Sequence, residues 1–186
     1  LRCSDDASGN YAALRQRMQE DGYLFMPGLL DREAVLEARH EVARRLAEAG
    51  LLDPTRPVEE CIAAAGAEVG FMAEVARDNP QLDAVLYAGP MMDFYRGFLG
   101  GPVRHFDYTW FRTKSPGPNA TQPHYDVVYM GRGTHQLYTS WTPLSDIPMS
   151  MGGLMVLENS HRQQELIATY GQQDVDLYCE NDPDSS

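Results

Sequence analysis

The sequence is short of several things, and each shortage removes a class of protein. Its three cysteines, Cys3, Cys61 and Cys179, are odd in number, far apart and without a C-x-x-C, which argues against a disulfide framework and a zinc knuckle. Reduced thiols in a cytoplasmic protein are the expectation. No run of about 18 apolar residues is present, and no signal peptide opens the chain, so a membrane partner is not expected. Basic residues are few: 15 Lys and Arg against 27 Asp and Glu give a net charge of −12. Such a surface repels phosphate backbones and anionic lipid, which argues against nucleic acid as a partner. The basic residues that do cluster, Arg32, Arg39, His40, Arg44 and Arg45, read as one solvated helix face. Histidine is scarce as well, with five in the chain, so any metal site has few residues to draw on.

What is present reads as one domain of 186 residues with two textures. Tyr11, Leu14 and Met18 recur at helical spacing over 10–21, and "GYLFMPG" (22–28) reads as a short strand. Asp31 is placed to cap a long helix carrying Val35, Val42 and Leu46 on one face and stopped by Gly50. Further helix is expected over about 59–100, broken at Pro80 and at Gly89-Pro90. Beyond Gly100-Gly101-Pro102 the chain turns aromatic and β-branched. There "VRHFDYTWFRTK" (103–114), "HYDVVYM" (124–130), "HQLYTSWTPL" (135–144) and "GGLMVLEN" (152–159) read as strands between loops. The fold class is therefore α+β: mainly helical support over 1–100, barrel-core strands over 103–162, and a loop-like end over 163–186. The chain opens without Met and stops in "YCENDPDSS", and flanking segments are expected on both sides.

Two His-x-Asp triplets carry the chemistry, His105-Phe106-Asp107 and His124-Tyr125-Asp126. On a strand, residues i and i+2 share a face, so either pair offers an imidazole nitrogen and a carboxylate oxygen to one ion. A second histidine from elsewhere completes a two-His-one-carboxylate triad that leaves positions open on Fe(II). The triplet alone is cheap, and context separates the copies. His105-Phe106-Asp107 lies within a long aromatic strand beside Arg104, where a structural His and an ion-paired Asp are the simpler reading. His124-Tyr125-Asp126 follows the loop "SPGPNATQP" and opens its segment at a rim.

The stretch 122–162, from "QPHYD" through Trp141 to "GGLMVLENSHR", resembles the phytanoyl-CoA dioxygenase family, and "EDGYLFMPGLLDREAVLEAR" resembles that family's N-terminal strand and helix. The resemblance implies a double-stranded β-helix (a jelly-roll or cupin-like barrel) with packed N-terminal helices, its C-terminal part missing here. It implies an Fe(II)- and 2-oxoglutarate-dependent dioxygenase that uses O2 to hydroxylate a small-molecule substrate, with release of succinate and CO2. By the same resemblance His124 and Asp126 are the first two iron ligands, and Trp141 lines the 2-oxoglutarate pocket. The residue itself reads equally well as an ordinary core Trp. His161, in the family's Gly-Ser-His phrase, is not a ligand but orders the following loop.

The family's third ligand is a distal His, followed by an Arg that grips the far carboxylate of 2-oxoglutarate. Neither phrase occurs in these 186 residues. Asp126, where related halogenases carry a small residue, favours hydroxylation. The alternatives are a non-catalytic or ligand-binding member of the same fold, and a cupin-like protein using His105 or His161. His135 reads as a turn residue, and Arg112, Lys114 and Arg132 as solvated surface. Substrate identity and oligomeric state stay open.

Overall fold

A computed structural model describes residues 1–67, 69–114, 121–131, 133–134 and 136–175. Arg132, His135, Cys179, residues 115–120 of the first loop and the end beyond 175 lie outside these residues.

The helical half follows its sequence except between residues 61 and 72, where the described residues form turns and isolated bridges at Ala63 and Phe71 instead of the expected helix. Helix α1 spans Tyr11–Asp21, with the Asn10 side chain accepting from the Ala13 amide and Gly22 ending it at φ 79°. A left-handed φ is what such a C-terminal stop requires, and glycine takes it without a Cβ penalty. Helix α2 spans Arg32–Glu48, its Asp31 cap accepting from the Ala34 amide at 2.8 Å. Gly50, at φ 72°, terminates it. Helices α3 (Ala73–Ala76), α4 (Pro80–Leu86) and α5 (Gly89–Leu99) follow, broken where the prolines and glycines predict. Proline sits at the start of α4 and of α5, where its missing N–H has no helical partner to lose.

Two faces of packing hold these helices. The α2 residues Ala38, Val42 and Leu46 bury against Met72, Val75, Leu82 and Val85. On the other side Leu14 of α1 and Phe98 of α5 form a core with Ala7. Gly97 makes that approach possible, because a Cβ there would overlap the Tyr11 ring. Part of the basic α2 cluster is structural rather than solvated. Arg45 donates to the carbonyls of Arg77 and Asp78 at 2.6 Å each, tying α2 to the end of α3. Glu41 accepts from both Arg44 and Arg45, and these bonds, Arg44 foremost, lower its carboxyl pKa to about 2.

The second half departs from the strand expectations. Among the described residues there are isolated bridges, Cys3 with Phe25, Leu52 with Ala63 and Phe71 with Arg112, and no extended sheet. The end of the expected strand 103–114 does pair: the Met72 amide reaches the Phe111 carbonyl and the Thr113 amide reaches the Gly70 carbonyl. The expected strand 124–130 is instead a short helix, α6, over Val127–Met130. Its amides bond locally: Val128 to the Tyr125 carbonyl, Tyr129 and Met130 to that of Asp126. Val128, fully buried, anchors α6. A short 3-10 turn, Ser160–Arg162, helix α7 (Gln164–Ala168) and a second 3-10 turn, Tyr170–Gln172, follow. Leu154, Met155 and Leu157 lie exposed outside any helix or strand, as do Phe106 and Trp110.

Candidate metal-ligand pair and its surroundings

The two His-x-Asp triplets have different geometries. At His124-Tyr125-Asp126 the imidazole Nε2 lies 3.2 Å from Asp126 Oδ1. The other ring nitrogen, Nδ1, is 2.7 Å from the Gln122 carbonyl. A carbonyl only accepts, so Nδ1 carries the proton and donates. In the neutral ring Nε2 is then a lone pair aimed at a carboxylate. Two acceptors that close need a cation between them: a proton, giving an imidazolium–carboxylate pair, or a metal ion. Metal bonds of about 2.1 Å at right angles would leave neighbouring donors about 3.0 Å apart, close to the observed spacing. A ligating His also commonly donates its second N–H to a backbone carbonyl, which fixes ring and tautomer. The donor types, their spacing and the tautomer therefore all fit an ion such as Fe(II) at this pair. Both side chains are partly exposed, 31% for His124 and 41% for Asp126, so the pair is open to small molecules.

His105-Phe106-Asp107 is built otherwise. The His105 ring stacks on Tyr87 with centroids 4.1 Å apart. Its Nδ1 meets the Phe106 carbonyl at 2.9 Å, and it is this same committed nitrogen that faces Asp107, 4.0 Å away. The Asp107 side chain is fully exposed. No lone pair and carboxylate converge there.

His161 is engaged elsewhere. Its Nε2 donates to the Gln19 carbonyl at 3.0 Å, and Arg162 Nε donates to the same oxygen at 3.0 Å. Gln19 is in the last turn of α1, where carbonyls lack helical partners, so His161 and Arg162 cap that helix. Asn159 precedes the turn at φ 62°, a conformation asparagine tolerates better than most residues. Trp141 is half exposed in irregular backbone, and among the described residues its ring joins no aromatic pair. Its neighbour Ser140 shares a hydrogen bond of 2.6 Å with the Tyr95 hydroxyl on α5.

Three tyrosines that the sequence reading passed over surround the pair. The Tyr129 ring meets His124 edge-on at 5.5 Å. Tyr125 packs on Tyr170 at 5.7 Å. Burial pushes the Tyr170 hydroxyl pKa upward, with Tyr129 adding to the effect. Among the described residues, no third His, Cys, Asp or Glu joins His124 and Asp126 in a group able to hold a metal ion.

A family model described as phytanoyl-CoA dioxygenase (PhyH) matches residues 18–184. The chain belongs to the phytanoyl-CoA dioxygenase family. Two curated relatives carry the name 1-deoxypentalenic acid 11-beta-hydroxylase. The protein from Streptomyces exfoliatus is 26% identical over 157 residues, covering 81% of this chain and 54% of that protein. The one from Streptomyces arenae is 24% identical over 157 residues, with the same coverage. This phytanoyl-CoA dioxygenase family member thus spans about half the length of the curated relatives it matches. No solved structure matches it. Among the described residues no helix is long and apolar enough to cross a membrane.

Proposed function

We propose that this chain is the His-x-Asp-bearing part of an Fe(II)- and 2-oxoglutarate-dependent oxygenase that hydroxylates a small organic molecule. The observation that carries the reading is the pairing of His124 Nε2 with Asp126 Oδ1 at 3.2 Å in a chain of this family. Fe(II) held there, with 2-oxoglutarate and O2, supplies the oxidising power for a C–H bond and yields succinate and CO2 as by-products. The protein's share is positional. The Gln122 carbonyl fixes the His124 tautomer, so that Nε2 is the free donor. Asp126 supplies the anionic oxygen, and its backbone carbonyl receives the first amides of α6, which fixes the start of that helix next to the donor.

The names of both relatives specify hydroxylation of a carboxylic acid, which supports a small-molecule substrate and hydroxylation as the reaction. Family membership, together with the alternating aromatic residues Phe106, Tyr108 and Trp110 and the apolar run 154–157, supports a double-stranded β-helix as the fold. Trp141 is assigned to the 2-oxoglutarate pocket on the family resemblance.

The test is formation of succinate from 2-oxoglutarate with Fe(II), O2 and a panel of small organic acids, using the whole protein that contains this chain. Succinate formation stimulated by a panel member supports the reading. Its absence, in protein shown to bind Fe(II), favours a ligand-binding member without oxygenase activity, the reading to which the two-ligand count among the described residues points.

A further inference from the structure

The middle residue of the triplet has a contact that the metal reading does not use. The Tyr125 hydroxyl donates to the Ser160 carbonyl at 2.7 Å, a bond between residues 35 apart in sequence. Ser160 opens the turn whose next two residues, His161 and Arg162, grip the Gln19 carbonyl at the end of α1. Gly22 presses on the same turn from beneath, since a Cβ there would overlap the His161 ring. Tyr125 is confined on its other side by Tyr170 and by Gly171, where a Cβ would come 3.5 Å from its ring. A continuous line of contacts therefore runs from the end of α1 through the 160–162 turn to the residue between His124 and Asp126.

The triplet needs such a hold. No sheet fixes residues 121–126 among the described residues, and His124 is exposed. Val128, two positions after Asp126, is the nearest fully buried anchor in α6. Restoring the 3.2 Å spacing of the two donors each time an ion arrives requires that the backbone between them stay put.

We propose that Tyr125 is a positioning residue for the His124–Asp126 pair, tethering it through the Ser160 carbonyl to the capped end of α1. The inference rests on the reading of that pair as metal ligands. Tyr125 touches neither ion nor substrate in this account. It acts by holding the backbone that carries both donors, as outer partners of metal ligands commonly do.

Co(II), whose visible bands report ligand arrangement, is the probe, titrated into the metal-stripped protein. The variants are Tyr125→Phe, which keeps the ring and loses the hydroxyl; Tyr11→Phe, which loses a hydroxyl at the α1–α5 contact and leaves the Ser160 bond intact; and His124→Ala. Tyr125→Phe is expected to weaken Co(II) binding about 10-fold and to shift the bands, with an unchanged far-ultraviolet circular dichroism spectrum. Tyr11→Phe is expected to match the wild type, and His124→Ala to lose binding. If His124→Ala loses Co(II) while Tyr125→Phe keeps wild-type affinity and bands, the tether falls and the ligand pair stands. Equal weakening by Tyr11→Phe also overturns the tether. If His124→Ala binds as the wild type does, the ligand reading falls and the tether with it.

Discussion

His124 and Asp126 face each other across 3.2 Å, with the second imidazole nitrogen already committed to the Gln122 carbonyl. That relationship gives the pair its chemical meaning, because two converging acceptors demand a cation.

Asp126→Ala separates chemistry from folding. The Asp126 side chain makes no capping bond to α6, and its backbone carbonyl, which does receive amides, survives the substitution. The variant is expected to lose 2-oxoglutarate turnover and bind metal more weakly, while its thermal stability stays within about 0.5 kcal/mol of the wild type. Turnover at the wild-type level would eliminate Asp126 as a ligand.

Gly22→Ala acts from a distance. It places a methyl group inside the His161 ring and forces a non-glycine residue to φ 79°. The conformational strain alone costs about 1–2 kcal/mol, and displacement of His161 adds to it. Chemical denaturation measures the loss, and a variant as stable as the wild type would mean that the turn does not clamp α1.

Acid stability should depend on two ion pairs in the helical half. Asp6 is held by a two-pronged bond from Arg17, which lowers its carboxyl pKa from 3.8 to about 2. Glu41, held by Arg44 and Arg45, falls from 4.5 to about 2. In both cases the folded value is the depressed one. Their stabilisation is therefore complete above the unfolded values, about 4 to 5, and is lost as pH falls toward about 2. Asp6→Asn and Glu41→Gln should each be less stable than the wild type at pH 7, with the difference vanishing near pH 2. A difference constant over that range would contradict the pairing.

Leu14 is fully buried among Ala7, Phe98 and their neighbours, and Leu14→Ala should cost about 2–5 kcal/mol in unfolding free energy. A loss below about 1 kcal/mol would mean that the α1–α5 contact is not formed in solution.

The helical half was readable because its signals are local. Asp31, Gly50, Pro80 and Gly89-Pro90 mark boundaries by the conformations their own side chains permit or forbid, and the helices begin and end there. The strand-like half was not, because a strand is completed by its neighbours. "HYDVVYM" has the β-branched and aromatic residues of a strand, yet Val127–Met130 closes its hydrogen bonds within itself. The two triplets are alike in themselves; their flanking sequence favours His124-Tyr125-Asp126, and the placement of Tyr87 and Gln122 around the imidazoles supplies the physical difference. Tyr125 and Tyr170 come together from 45 positions apart, a distance that no local pattern spans.

The most direct measurement is an anomalous difference map at the iron edge, from crystals of the whole protein grown with Fe(II) in the absence of oxygen. A peak is expected within bonding distance of both His124 Nε2 and the Asp126 carboxylate. A peak at His105 or His161, with none between His124 and Asp126, would contradict it.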